Sequence, residues 1–157
     1  MTGKLGYPLR QGFGPAWLLL CLAFALHIWD DATHDFLSYY NATVLTLHGH
    51  FAWFPRLDLS FRVWLTGLLG ALLLSLALSP SAYRNSRWLR PLGYLIALVH
   101  FAGGMVHTLA EIAGRTVPSV RFPGLAPGFY TAPLLLACSG YLFWSLRRTA
   151  GQSRDPA

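Results

Sequence analysis

The chain has 157 residues, of which 54% are hydrophobic and only 11% are charged, with a formal net charge of +6. Soluble domains carry about 25% charged residues, so the composition excludes an ordinary water-soluble domain and favours a membrane protein. The positive charge does not indicate a nucleic-acid partner, because no basic stripe is interleaved with aromatic residues.

Four apolar segments follow one another along the chain, and each approaches the ~20 residues that a helix needs to cross a bilayer. Helices are expected because the hydrocarbon core offers no partner for a free backbone amide. The segments cover roughly residues 15–36, 61–79, 91–113 and 130–146. The sequence therefore predicts an all-α, polytopic membrane protein, a four-transmembrane-helix bundle.

This bundle is expected to form a single domain over residues 1–148, followed by a flexible polar tail over residues 149–157. Between the first two spans, residues 38–54 are rich in aromatic side chains and end just before Pro55. An interfacial or re-entrant segment is expected there, with His48 and His50 as loop residues.

Basic residues set the predicted orientation, because lysine and arginine concentrate in cytoplasmic loops. One side of the bundle carries Lys4, Arg10, Arg84, Arg87, Arg90, Arg147, Arg148 and Arg154, and the other carries Arg56, Arg62, Arg115 and Arg121. The sequence thus predicts a multi-pass protein of the cell membrane with both termini in the cytoplasm. The alternative for the first segment is a secretory signal peptide ending near Ala23-Phe24-Ala25.

Two polar stripes interrupt the first and third apolar segments. They consist of His27, Asp30, Asp31 and His34 in the first, and of His100, His107 and Glu111 in the third. Ionisable residues within a span are costly to place there and by default mark a functional site. At 100° per residue each stripe occupies one helix face, and both spans run in the same direction. We expect the stripes to face each other at matched depth, in the outer half of the bilayer.

Imidazole and carboxylate groups are ligands for zinc or iron, and helical bundles build metal sites from facing helices. The sequence predicts a divalent metal held by His27, Asp30, His34 and His107, with Asp31 and Glu111 as catalytic carboxylates and His100 at the edge of the site. Such a site would act on a lipophilic small molecule entering from the bilayer. Without a metal, the same groups could perform acid–base catalysis. A haem is disfavoured, because carboxylates crowd the face that would bind it.

Each stripe also has a purely structural interpretation. The paired aspartates could mark the end of a span, Glu111 could pair with Arg115 four residues on, and His100 could be a buried structural histidine. The alternative function is a non-enzymatic ion- or metal-handling bundle or an accessory subunit of a larger membrane complex. The chain could also form a homo-oligomer. The second and fourth segments carry few polar residues, so the polar track ends within the bilayer, which favours a pocket over a pore.

The motifs resemble a family of small integral membrane proteins named for an HXXEE motif. His27-Ile28-Trp29-Asp30-Asp31 is similar to that motif, with both glutamates replaced by aspartate. Gly103-Gly104-Met105-Val106-His107 resembles the family's N-x-x-x-H element with glycine in place of asparagine, and Pro127-Gly128 resembles the P-G that opens its last span. The resemblance implies a membrane-embedded protein whose polar motifs serve an enzymatic or metal-linked function.

Overall fold

The structure, a computed structural model, describes residues 12–151, which are mostly helical and confirm the all-α class. Within this range the helices are α1 (Gly14–Thr33), α2 (Phe36–His50), α3 (Phe61–Ala77), α4 (Ser79–Tyr83), α5 (Leu89–Ala113) and α6 (Ala132–Gly151). Strands β1 (Arg115–Val117) and β2 (Val120–Arg121) form a short antiparallel hairpin between α5 and α6, which the sequence did not predict.

Four helices, α1, α3, α5 and α6, alternate in direction along the chain. Trp17, near the start of α1, donates its indole hydrogen to the carbonyl of Ser75, near the end of α3, over 2.8 Å. Gly93, near the start of α5, lies against the side chain of Leu146, near the end of α6. Helices α1 and α3 are therefore antiparallel, and so are α5 and α6.

Helices α1 and α5 run in the same direction, as the sequence predicts. The rings of Phe24 and His100 lie 4.5 Å apart, and those of His27 and His107 lie 4.7 Å apart, so the contacts occur in the same order along both helices. The two contacts are three residues apart on α1 but seven apart on α5. Residues at equal distances from the starts of the two helices therefore do not lie opposite each other.

The ends of these helices follow from local sequence. Asp35, in a left-handed conformation at φ 53°, separates α1, which ends at Thr33, from α2. The prediction that His48 and His50 are loop residues is wrong, because both lie in the last turn of α2. Ser60 caps α3 by accepting the amide hydrogen of Val63. Gly114, at φ 64°, terminates α5 in the left-handed conformation that glycine adopts without a steric cost.

The core is centred on α1, and large apolar side chains cover the outside of the bundle. Helices α1 and α5 are long and apolar enough to cross a membrane, and only 11% of the most apolar window of α5 is buried. A core helix of a water-soluble protein would be largely buried, whereas an exposed apolar face of this extent is typical of a surface that contacts lipid. Two of the predicted spans thus have the length and composition that a membrane requires.

The other two predicted spans differ from the expectation. Helix α3 is apolar but shorter than a full span, and α6 is less apolar and carries Arg147 and Arg148 in its last turns. Helix α6 also continues to Gly151, with Thr149 buried, so the helix extends into the segment predicted to be a flexible tail. The remainder of that tail lies outside the described residues, as do Lys4, Arg10 and Arg154.

Candidate metal centre

Three side chains meet where α1 approaches α5. His27, Asp31 and His107 each offer one ligand atom, and these atoms all lie within 4.8 Å of one another. Asp31 Oδ2 lies 3.6 Å from His27 Nε2, and Asp31 Oδ1 lies 3.9 Å from His107 Nδ1. His27 and Asp31 are four residues apart and so share one face of α1. A single carboxylate is thereby flanked by two imidazoles from two different helices.

The Asp31 carboxylate is deeply buried and incompletely bonded. Asp31 is 4% exposed, and its Oδ1 atom has no hydrogen-bond partner among residues 12–151. Burying a polar atom without a partner is costly, and such atoms in a folded protein call for an explanation such as an ion. The two neighbouring imidazoles supply the further ligands that a cation at Asp31 Oδ1 would need.

His27 is oriented by a short hydrogen-bonded chain. The Thr131 hydroxyl donates to Asp30 Oδ2 over 2.8 Å, and the hydroxyl oxygen, Thr131 Oγ1, lies 2.9 Å from His27 Nδ1. Because the hydroxyl hydrogen is used toward Asp30, His27 Nδ1 carries the hydrogen and donates to Thr131. His27 Nε2, the nitrogen nearer Asp31, then has the free lone pair that metal binding requires.

His107 is held in the same manner from the segment that precedes α6. Its Nδ1, the nitrogen that lies 3.9 Å from Asp31 Oδ1, donates to the carbonyl oxygen of Pro127 over 3.0 Å, so a metal ion would bind His107 through Nε2, which has the free lone pair. One face of its ring stacks on Phe36 of α2, with centroids 5.3 Å apart and an interplanar angle of 22°. Both imidazoles thus have a defined tautomer and a defined ring position.

Gly128 lies between the three side chains. Its φ of 84° belongs to the left-handed region that favours glycine. A Cβ atom at this position would lie 2.5 Å from His107 Nδ1 and 3.3 Å from Asp31 Oδ1. Only a residue without a side chain can therefore approach the group this closely.

Two of the predicted ligands have other contacts. Asp30 Oδ1 lies 2.8 Å from His34 Nδ1, and the other oxygen of Asp30 accepts the Thr131 hydrogen bond. The His34 side chain is 49% exposed. The structure therefore brings Asp31, which the sequence assigned to catalysis, to the two histidines, and directs Asp30 and His34 toward each other.

Glu111 and His100 also lie apart from the three-residue group. Glu111 Oε2 accepts the amide hydrogen of Ala126 over 2.8 Å, and no ion pair joins Glu111 to Arg115 within residues 12–151. His100 donates from Nδ1 to the Ile96 carbonyl of its own helix. Glu111 thus fixes the segment that carries Gly128, and His100 has the contacts of a structural histidine.

Pro127, Gly128 and Thr131 contribute to the site without having been predicted as site residues. The Pro127-Gly128 pair was visible as a motif, but its part in the site depends on a left-handed glycine and a backbone carbonyl, which have no periodic signal. Thr131 precedes α6 and belongs to no polar stripe. Its contact with α1 follows only from the antiparallel packing of α6.

A largely apolar cavity of about 740 Å³ adjoins the group, between α2, α5 and the hairpin. His107 forms part of its wall, and aromatic side chains of α2 and of the segment after β2 line it, namely Phe36, Tyr39, Tyr40 and Phe122. Small-molecule sites have this size and this mainly apolar lining with few polar groups. One candidate ligand, His107, therefore borders a cavity that suits an apolar molecule.

Comparison with known proteins gives no match: no protein-family model, curated protein sequence or solved structure is similar to this chain. The resemblance to the HXXEE proteins is tested by none of these comparisons and stays a prediction. The assignment of a function to the site therefore depends on its own geometry.

Proposed function

We propose that the protein is a membrane-embedded enzyme in which His27, Asp31 and His107 bind a divalent metal ion, zinc or iron, and act on a lipophilic small molecule. The observation that carries this proposal is the buried Asp31 Oδ1, which lies between two imidazoles and has no hydrogen-bond partner in the described part of the chain. Two histidines and one carboxylate form both the catalytic zinc sites of hydrolases and the sites of non-haem iron oxygenases. Three protein ligands leave a coordination position for water or substrate.

A zinc or iron ion at these ligands supplies Lewis-acid activation of a bound water or of a substrate oxygen. Other groups of the protein orient the two histidine ligands. Asp30 and Thr131 keep the hydrogen on His27 Nδ1, and the Pro127 carbonyl does the same for His107. This proposal assigns Asp31 to the metal and gives Asp30 and Glu111 positioning roles.

The proposal includes four membrane spans, α1, α3, α5 and α6, with the site in the outer half of the bilayer. Arg90, at the start of α5, contacts the carbonyl of Thr149 near the end of α6, so the basic residues of both helices lie at one end of the bundle. The candidate metal centre is nearer the opposite end. The positive-inside rule then favours cytoplasmic termini.

The packing below the site favours a pocket over an ion pathway. Toward the basic end, the space between the helices is filled by side chains that are almost fully buried, Trp17 at 1% exposure and Leu142 and Leu146 at 0%. A conducting bundle would need polar groups to continue through this region. The buried Ser139 and Thr149 of this region donate their hydroxyl hydrogens to carbonyl groups of their own helix, α6. They are therefore not available to an ion, which supports an enzyme with a closed inner side.

Metal content is the direct test of this proposal. Elemental analysis of detergent-purified protein, reconstituted with zinc or, without oxygen, with iron(II), is expected to find stoichiometric metal in the wild type. Asp31→Asn and His107→Gln should each lose it, because each removes a ligand. His100→Gln is the matched control, a buried histidine on the same helix outside the group, and should retain the metal. Wild-type protein without metal, or equal loss in His100→Gln and His107→Gln, would contradict the proposal.

The hydrogen-bonded chain to His27 gives a second, graded prediction. Thr131→Val and Asp30→Asn are each expected to weaken metal affinity by about 10- to 100-fold without removing the site, since they disturb only the partner of a ligand. Competition with a metal-chelating indicator measures this affinity. Thr108→Val is the control, because the Thr108 hydroxyl donates only to the Gly104 carbonyl of its own helix. An unchanged metal affinity in Thr131→Val would show that the hydrogen bonds from Asp30 through Thr131 do not orient His27.

A further inference from the structure

The apolar cavity beside His107 has one basic end. Its lining is apolar or aromatic over most of its length, and Arg115 is the cationic side chain that contributes to it at the hairpin. Arg115 is exposed and forms no ion pair within residues 12–151. An apolar cavity that ends at an unpaired guanidinium matches a molecule with an apolar body and an anionic end.

The hairpin places a second positive charge, that of Arg121, beside this end of the cavity, although Arg121 does not line it. Arg115 on β1 lies directly opposite Arg121 on β2, and the part of the chain that the structure describes offers neither of them a carboxylate. Residues directly opposite in an antiparallel pair project to the same face, where two like charges destabilise each other. An anion bound at this face would relieve that repulsion and form charge-assisted hydrogen bonds.

The position of His107 along the cavity defines which part of such a molecule meets the candidate metal centre. Ala113, at the end of α5, is next to the hairpin. His107 lies about 9 Å from it along the helix, at the helical rise of ~1.5 Å per residue. The lining continues for about 8 Å beyond His107, to Ala102. If the head group of an amphiphile lies at Arg115, an interior carbon of its hydrocarbon chain therefore lies beside His107, and the far end of that chain lies near Ala102.

We propose that the cavity binds a single-chain amphiphile with an anionic head group, such as a long-chain carboxylate, with the head at Arg115 and the chain along α5. This occupant is the substrate class of the proposed metal enzyme and rests on that proposal for its reaction, but its binding needs no metal. The reacting position is then an interior carbon of the chain and not the head group. The cavity volume of about 740 Å³ suits one chain of this kind.

Binding is tested by native mass spectrometry of the detergent-solubilised full chain with palmitate, with hexadecanol as the uncharged analogue and with a two-chain phosphatidylglycerol. Palmitate is expected to bind stoichiometrically and roughly tenfold more tightly than hexadecanol, the effect of one charge-assisted contact. Arg115→Gln should remove this preference and leave hexadecanol binding unchanged. Arg62→Gln removes an exposed arginine of α3 outside the cavity and should have no effect.

A cavity-filling variant tests the location of the chain. Gly103 lines the cavity, and an added Cβ there meets nothing within 4 Å, so Gly103→Leu is expected to fold and to weaken both palmitate and hexadecanol at least tenfold. Gly67→Leu on α3 has the same open surroundings and should bind as the wild type. Unchanged binding in Arg115→Gln or Gly103→Leu, or occupancy by phosphatidylglycerol in place of palmitate, would overturn the proposal.

The two proposals fail in different ways. The palmitate titration is repeated on metal-depleted Asp31→Asn protein, where binding is expected to equal that of the wild type. If the wild type contains no metal but the Arg115 and Gly103 effects are present, the enzyme proposal fails and the amphiphile site stands. If metal is present and these effects are absent, the metal centre stands without this substrate class.

Discussion

Replacing Gly128 with alanine is expected to abolish metal binding at the group of His27, Asp31 and His107 and to lower the stability of the protein. The backbone at Gly128 has a φ of 84°, which costs an L-residue about 1–2 kcal/mol. The larger effect is steric, because the new Cβ would lie 2.5 Å from His107 Nδ1, and either the ring or the segment must move. Elemental analysis and thermal unfolding in detergent measure the two effects.

Gly114→Ala separates these effects. Gly114 also has a positive φ, 64°, but an added Cβ there meets nothing within 4 Å. We expect this variant to lose a similar amount of stability from backbone strain and to keep its metal. Gly124→Ala carries neither the positive φ nor a close contact and should resemble the wild type. Metal retention in Gly128→Ala would show that the close approach of this segment is not required for binding.

The second large effect is expected at Gly104, where Gly104→Leu should destabilise the bundle by about 1–3 kcal/mol through overpacking. Gly104 is buried against α6, and an added Cβ would lie 2.9 Å from Leu136 Cγ and 3.1 Å from the Ala132 carbonyl oxygen. Small residues at such contacts let two helices approach closely, and a leucine would force them apart. Thermal unfolding in detergent, followed by helical circular dichroism, measures the loss.

The adjacent residue supplies the control for this prediction. Gly103→Leu makes the same change one position earlier on the same helix, where an added Cβ has open space around it. Its unfolding temperature should equal or exceed that of the wild type, since leucine has a higher helix propensity than glycine. Equal destabilisation by the two variants would mean that the contact between α5 and α6 differs from the one described.

Much of the helical framework could be predicted from the sequence, because apolar segments of sufficient length leave few alternatives to helices. The polar stripes also identified the two helices that carry His27 and His107. The residue that contacts His27 was harder to predict from the sequence. Matching depths from the segment starts would place His27 and His100 at one level, but the structure joins His27 to His107, because the contacts advance by different numbers of residues on α1 and α5.

The choice between Asp30 and Asp31 could not be made from sequence either. Adjacent residues on a helix differ by 100° in direction, so a small rotation of α1 decides which carboxylate faces His107 and which faces Thr131. That rotation depends on how α1 packs against α6. The roles of Gly128 and Thr131 depend in the same way on tertiary contacts of a segment whose local sequence specifies little beyond a turn.

The segment that completes the site has a consequence for the order of biosynthesis. All three candidate ligands precede residue 108, whereas the groups that hold them, the Pro127 carbonyl, Gly128 and Thr131, come just before the last helix. A nascent chain therefore carries every ligating side chain before it carries the parts that orient them. Assembly of the proposed metal centre would then follow synthesis of α6, and chains that stop short of this helix would expose two histidines and an aspartate without a site.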